Sequence, residues 1–159
     1  MIEKCGQRQL SAGSYPLYIE GFQAGGGVGM EAKYSGPDTR GQKVFMRSGL
    51  PASLNKAAGR YYARCNPSQK GTPLQFTMCM FRSEVYLGRI PEIGLADTGA
   101  NRLYFAGRGD IPVVDMHSLA DFRIPVPATP EVNYAWAIYG RLLIGTAGRY
   151  SLCIISDDG

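Results

Sequence analysis

Residues 133–159 decide the fold, and they read NYAWAIYGRLLIGTAGRYSLCIISDDG. Large apolar side chains alternate with smaller or polar ones in two runs, residues 134–144 and 150–154. This period of two predicts two β-strands, because neighbouring side chains of a strand point to opposite faces. The stretch ends on Ser156-Asp157-Asp158-Gly159, so two adjacent carboxylates directly follow the second strand.

The rest of the chain repeats this pattern and predicts an all-β protein. Alternation marks residues 15–19, 28–34 and 74–80, and the 21 glycines and 10 prolines favour many turns. Residues 46–72 are rich in small and polar side chains and are predicted to be a linker. Ser118 is predicted to cap a single helical turn. Short strands joined by glycine and proline turns predict a sandwich or a barrel.

The composition excludes several classes of function. A chain of 159 residues is long enough to form one domain with a proper core. The 17 lysines and arginines give a net charge of +4 but form no cluster, which argues against nucleic-acid binding. No apolar run is long enough to span a membrane, and the first residues do not resemble a signal peptide. The 4 cysteines contain no Cys-x-x-Cys pair, which argues against structural zinc, and they leave three disulfide pairings open.

A glycine-rich segment, Ala24-Gly25-Gly26-Gly27, lies between two of the alternating runs and predicts a hairpin. It does not have the dinucleotide-binding spacing, because Met30 stands where that motif needs glycine and a strand follows instead of a helix. Two interpretations remain for the segment. It is either a flexible hairpin tip or a loop whose backbone carbonyls are open to a ligand.

Side chains suited to catalysis form no recognisable arrangement, so we predict that the chain is not an enzyme. The single histidine, His117, lies beside Asp115 and Asp121 in a proline-rich region and is interpreted as a surface or loop histidine. The tripeptide 108–110, Arg-Gly-Asp, is one that integrins bind on exposed loops. Because a match of three residues is common by chance, it favours an ordinary turn.

Asp157 and Asp158 can form a calcium site only if the backbone folds sharply between them. In an extended strand the two side chains would point to opposite faces and could not bind one ion. A tight turn or a cis peptide bond would bring both carboxylates together, and such oxygens are the ligands that Ca²⁺ prefers. Taken alone, the pair also fits an ordinary solvated turn.

Two segments resemble the PA14 domain family. The first is residues 133–159, with a Trp-to-Ile strand, a Gly-x-Tyr strand and the closing Ser-Asp-Asp-Gly. The second is residues 13–38, GSYPLYIEGFQAGGGVGMEAKYSGPD, which is similar to the end of a PA14 domain. The two segments are in inverted order, and the middle hairpin of the family is absent. The resemblance therefore predicts an antiparallel, PA14-like β-sandwich that is permuted, spans two tandem units or is a fragment paired with a neighbour.

The resemblance also implies a division of the chain. Residues 1–45 correspond to the C-terminal half of a PA14-like unit, residues 46–72 to a linker, and residues 73–159 to an N-terminal half. PA14 domains occur in adhesins, glycosidases, toxins and cell-surface proteins, and many of them bind carbohydrate. The implied function is an extracellular carbohydrate-binding or adhesion module. The alternatives are a structural building block of a surface or filament assembly, completed by a neighbouring PA14-like chain, and an accessory domain of a glycosidase.

The implied calcium site follows the adhesin branch of that family, in which an adjacent Asp pair joined by a cis peptide bond holds Ca²⁺ and the ion contacts sugar hydroxyls. Asp157 and Asp158 match the pair. A second loop of the family supplies an Asn side chain and two carbonyls, which fall on Gln23, Gly25 and Gly27. Gln23 departs from the family because its side chain is longer. The neighbouring loop residues, implied to face the ligand, are Ala24 and Gly26.

Overall fold

The computed structural model describes residues 1–47 and 76–157. Within these ranges the chain forms nine β-strands and one short α-helix. The strands are β1 (Ile2–Leu10), β2 (Gly13–Gln23), β3 (Met30–Ser35), β4 (Val44–Phe45), β5 (Phe76–Ser83), β6 (Leu103–Ile111), β7 (Asp115–Met116), β8 (Tyr134–Ile144) and β9 (Gly148–Ser156). The helix is α1 (Leu119–Arg123).

The strands form two antiparallel sheets, which confirms the predicted all-β sandwich. The first sheet has the order β1-β9-β3-β4, with β7 also paired to β3. The second sheet has the order β2-β8-β5-β6. Strands from residues 1–45 lie beside strands from residues 76–157 in both sheets. Both ends of the chain therefore contribute to one sandwich.

The main core lies between the two sheets. Met30, Ala32 and Tyr150 face it from the first sheet, while Met78 and Trp136 face it from the second. All five are almost completely buried. The indole Nε1 of Trp136 lies 2.9 Å from the sulfur of Met30, so a polar contact also joins the sheets.

A second, smaller cluster covers the other face of the second sheet. Ala135 and Ala137 alternate with the core residues of β8 and pack in this cluster with Leu87 and Ile93. Because β8 is buried on both faces along this part, its sequence is apolar at consecutive positions rather than strictly alternating.

The predicted hairpin between β2 and β3 is wrong. β2 pairs with β8 in the second sheet, whereas β3 pairs with β9 and β4 in the first. Residues 24–29 therefore cross from one sheet to the other. Alternation predicts which face of a strand is buried, but not which strand lies beside it.

Two local predictions have different outcomes. Ser118 caps α1, and its hydroxyl accepts a hydrogen bond from the backbone of Asp121, as predicted. The predicted turn at residues 108–110 is wrong, because these residues lie inside β6. There the hydroxyl of Thr77 donates to Asp110 over 2.9 Å, so this carboxylate belongs to the sheet surface and not to a loop tip.

Of the predicted linker, only its first two residues are described. Met46 is 1% exposed and lies in the main core, and Arg47 forms a β-bridge with Val113. Residues 48–72 lie outside the described residues, as does Leu74 at the start of a predicted strand.

A disulfide bond joins Cys5 in β1 to Cys153 in β9. These residues are directly opposite each other in the strand register. The structure thus selects one of the bonds that the sequence left open. It crosslinks β1, whose first eight residues are exposed, to a strand whose side chains reach the core.

Candidate functional site

The glycine-rich loop lies at the end of the first sheet where β9 finishes. The loop runs from the end of β2 to Met30, and Met30 is paired with Ser156, the last residue of β9. Gly25, Gly26 and Gly27 are exposed. The glycine-rich loop is therefore exposed at the sheet edge where Asp157 follows β9.

Asp157 contacts this loop through both its backbone and its side chain. Its backbone N–H donates to the carbonyl of Gly29 over 3.3 Å. Its carboxylate approaches Gly27 so closely that a Cβ atom at Gly27 would lie 2.7 Å from Oδ2. Only glycine leaves room for this approach. Two segments separated by some 130 residues in the sequence, and predicted to form one site, are thus in contact.

Gln23 holds the glycine-rich loop through a side-chain hydrogen bond. Its side chain is 2% exposed, and its amide nitrogen donates to the carbonyl of Gly27 over 2.6 Å. The predicted role of Gln23 was to offer its amide oxygen to an ion. In the structure this side chain does reach the glycine-rich loop, but it does so through its amide nitrogen, which donates a hydrogen bond to the carbonyl of Gly27.

The remaining predicted site residues differ in their surroundings. A Cβ atom at Gly25 or Gly26 would meet nothing within 4 Å, so the apex of the loop is open. Gly26 has a φ of 88°, a left-handed conformation that favours glycine. Ala24 is half-buried at the start of the loop. Asp158 lies outside the described residues, and so does the peptide bond between Asp157 and Asp158.

The contacts place the carboxylate of Asp157 against the glycine-rich loop. Asp157 is about one-third exposed, and its Oδ1 lies 3.7 Å from the amino group of Met1. The carbonyl of Gly27 accepts from Gln23, but a carbonyl has two lone pairs and can also bind a cation. Chemically, the arrangement offers hard oxygen donors of the kind that bind Ca²⁺.

Sequence reasoning missed a second group of polar residues at this end of the sheet. Glu31 of β3 is opposite Asp115 of β7, and the ring of His117 lies between their carboxylates. Asp115 and His117 are neighbours in the sequence, but Glu31 joins them only through the pairing of β3 with β7. The only signal in the sequence was the position of His117 beside Asp115 and Asp121, and it did not include Glu31.

Asp121 holds the backbone next to this group. Its Oδ2 accepts hydrogen bonds from the backbone N–H groups of His117 and Ser118, each over 2.9 Å. The hydroxyl of Ser118 donates to the same oxygen. These hydrogen bonds, above all the one from His117, lower the pKa of Asp121 because they stabilise its charged form.

Comparisons with protein-family models, with curated proteins and with solved structures find no match to this chain. Among the described residues, no helix combines the length and the apolar character needed to cross a membrane.

Proposed function

We propose that the chain is a non-enzymatic, extracellular β-sandwich module that binds carbohydrate through Ca²⁺. The metal ligands are the carboxylates of Asp157 and Asp158 together with Gln23, Gly25 and Gly27 of the crossover loop. The observation that carries the proposal is the approach of the Asp157 carboxylate to Gly27, where a Cβ atom would lie 2.7 Å from Oδ2. It supports the pairing of loop and aspartate that the PA14 resemblance implies.

The chemistry of the donors supports calcium over other cations. Ca²⁺ takes six to eight oxygen ligands at about 2.3–2.6 Å, and it accepts backbone carbonyls and waters beside carboxylates. An exposed glycine-rich loop beside a carboxylate has this character. Bound Ca²⁺ keeps part of its coordination shell open to solvent, and hydroxyl groups of a sugar can occupy those positions.

The disulfide bond supports the extracellular part of the proposal. Cys5 and Cys153 are bonded, and such bonds persist mainly in oxidising compartments such as the cell exterior.

Calorimetric titration of the chain with Ca²⁺ tests the metal site. We expect saturable binding with a dissociation constant of about 0.1–1 mM, the range of extracellular calcium modules. Asp157→Asn should weaken binding about tenfold or more, because affinity depends on the number of charged ligands. Absence of both heat and a calcium-dependent thermal shift would refute the metal claim.

A pair of glycine variants provides a matched control. Gly27→Ala places a Cβ atom against Oδ2 of Asp157, so the carboxylate must move and calcium binding should weaken. Gly6→Ala adds the same methyl group in β1, outside the proposed site and where nothing lies within 4 Å, so binding should not change. Equal affinities for the two variants would contradict a site between the loop and Asp157.

A glycan array tests the ligand class. Binding of one or more glycans in Ca²⁺, lost on chelation and in Asp157→Asn, is the expected result. Calcium binding without any glycan signal would refute the carbohydrate claim and favour the alternative function.

That alternative is a structural building block of a surface or filament assembly. The exposure of β1 supports it: among the described residues this strand pairs only with β9, so its outer edge can accept a strand from a neighbour. Sedimentation velocity at micromolar concentration tests the idea. Self-association supports it, whereas a folded monomer contradicts it.

A further inference from the structure

Glu31, Asp115 and His117 form a compact group that the carbohydrate proposal does not use. Glu31 and Asp115 are paired across β3 and β7, and His117 directly follows β7. One ligand atom from each residue lies within 4.8 Å of those of the other two. One imidazole and two carboxylates therefore lie close together at the sheet edge, with one ring nitrogen facing each carboxylate.

One of the two distances around the imidazole matches the separation of two ligands on a small divalent ion, and the other is a hydrogen-bond distance. Nδ1 of His117 lies 3.5 Å from Oε1 of Glu31, which is longer than an ordinary hydrogen bond. Donor atoms of a tetrahedral zinc site with bonds of 2.0–2.1 Å are separated by about 3.3 Å. Nε2 lies 2.7 Å from Oδ1 of Asp115. The side chain of His117 is 54% exposed, so its ring can rotate to turn one nitrogen toward both carboxylates.

Burial of Glu31 strengthens the argument. Its side chain is only 9% exposed, and a buried carboxylate is costly unless cations compensate its charge. Lys33, on the same strand, forms an ion pair with Oε2 and also lies over the ring of Phe45. Lys33 thus compensates one oxygen of Glu31, while the other oxygen, Oε1, faces the imidazole.

The backbone around His117 is already fixed. Asp121 accepts hydrogen bonds from the N–H groups of His117 and Ser118, and it lies at the start of α1. This support resembles the outer hydrogen bonds that hold metal-binding residues in position.

We propose that Glu31, Asp115 and His117 bind a divalent transition-metal ion such as Zn²⁺. The imidazole nitrogen distinguishes this site from the oxygen-only calcium site, because imidazole favours zinc and related metals over Ca²⁺. The three protein ligands leave at least one coordination position for water or an external ligand. The proposal goes beyond the carbohydrate function and does not depend on it.

The single histidine makes a direct test possible. Zn²⁺ is added to the ¹⁵N-labelled chain while the imidazole ¹⁵N signals are recorded, and every such signal belongs to His117. We expect a saturable shift of one ring nitrogen with Zn²⁺ and no shift with Ca²⁺. An unchanged imidazole spectrum at millimolar Zn²⁺ overturns the proposal.

Variants then test the ligand set by calorimetry with Zn²⁺. His117→Gln and Asp115→Asn should each weaken binding about tenfold or more. Glu131→Gln, which alters a carboxylate that is 80% exposed and pairs with Arg123, should bind like the unmodified chain. If His117→Gln retains full affinity, the zinc is bound elsewhere and the proposal fails. Asp157→Asn should leave the zinc affinity unchanged, so failure of the calcium site and failure of this site are distinguishable.

Discussion

At the scale of single residues, glycine controls how closely side chains approach the backbone. Gly27 leaves room for the carboxylate of Asp157, and Gly21 of β2 leaves room for the indole of Trp136. The first approach is at an exposed loop and the second is in the core. Addition of a methyl group therefore has different consequences, because a carboxylate at the end of an exposed side chain can move and a buried indole cannot.

Gly21→Ala is predicted to destabilise the fold. A Cβ atom at this position would lie 2.4 Å from Cζ2 of Trp136, which is almost completely buried. Overpacking of this kind costs about 1–3 kcal/mol in the free energy of unfolding. Urea denaturation of the variant measures the loss.

Gly6→Ala is the control, because it adds the same atom to β1 where nothing lies within 4 Å. Its free energy of unfolding should stay within about 0.5 kcal/mol of the original. Equal losses in the two variants would show that the contact with Trp136 is not the cause.

At the scale of the elements, the sequence predicted where the strands lie better than which strands pair with each other. The alternation at residues 15–19 and 28–34 lies within β2 and at β3, as observed. The glycine-rich loop between them fitted a hairpin, yet it crosses between sheets. A loop of this length and composition allows both connections, and the choice depends on β8 and β9, which are more than 100 residues away.

The capping of α1 could be predicted because all its determinants are local. Ser118 and Asp121 are three residues apart and form reciprocal hydrogen bonds at the helix start. The group of Glu31, Asp115 and His117 could not be predicted, since its formation requires the register of β3 against β7.

Removal of the disulfide bond is predicted to release β1 before the rest of the sandwich. The first eight residues of this strand are exposed, so β1 is attached mainly by its backbone pairing with β9 and by the Cys5–Cys153 bond. Replacement of both cysteines by serine should lower the free energy of unfolding by about 2–5 kcal/mol. Amide hydrogen exchange should show the greatest loss of protection in β1.

Strand β8 provides the internal reference, because it is buried on both faces between β2 and β5. Its amides should remain protected in the double variant at moderate temperature. A uniform loss of protection in β1 and β8 would mean that the bond stabilises the whole fold and not the attachment of β1.

At the scale of the whole molecule, both candidate metal sites flank the start of β3. Met30 is paired with Ser156 of β9 on one side and with Met116 of β7 on the other. Asp157 and His117 follow these two partners in the sequence. One central strand therefore brings together three chain segments that are remote in sequence, and a register shift of β3 would alter both sites at once.

Four tyrosines that are at least partly shielded from water give the fold a predicted sensitivity to alkali. Burial raises the pKa values of four hydroxyl groups above the ordinary value near 10, because it disfavours the charged phenolate. They belong to Tyr18, Tyr34, Tyr139 and Tyr150. A pKa that is higher in the folded state than in the unfolded state contributes stability below the unfolded pKa, and this stability is lost as the pH rises.

The free energy of unfolding should accordingly fall above about pH 10, where tyrosines of the unfolded chain ionise. At neutral pH the ionisation of these four groups should not lower it. Titration at 295 nm measures the phenolates directly. Tyr18, Tyr34, Tyr139 and Tyr150 should ionise late and together with unfolding, whereas in urea they should ionise near the ordinary pKa. Tyr34→Phe should reduce the late-ionising number by one. Ionisation of all tyrosines in a single step near pH 10, with the fold intact, would contradict the prediction.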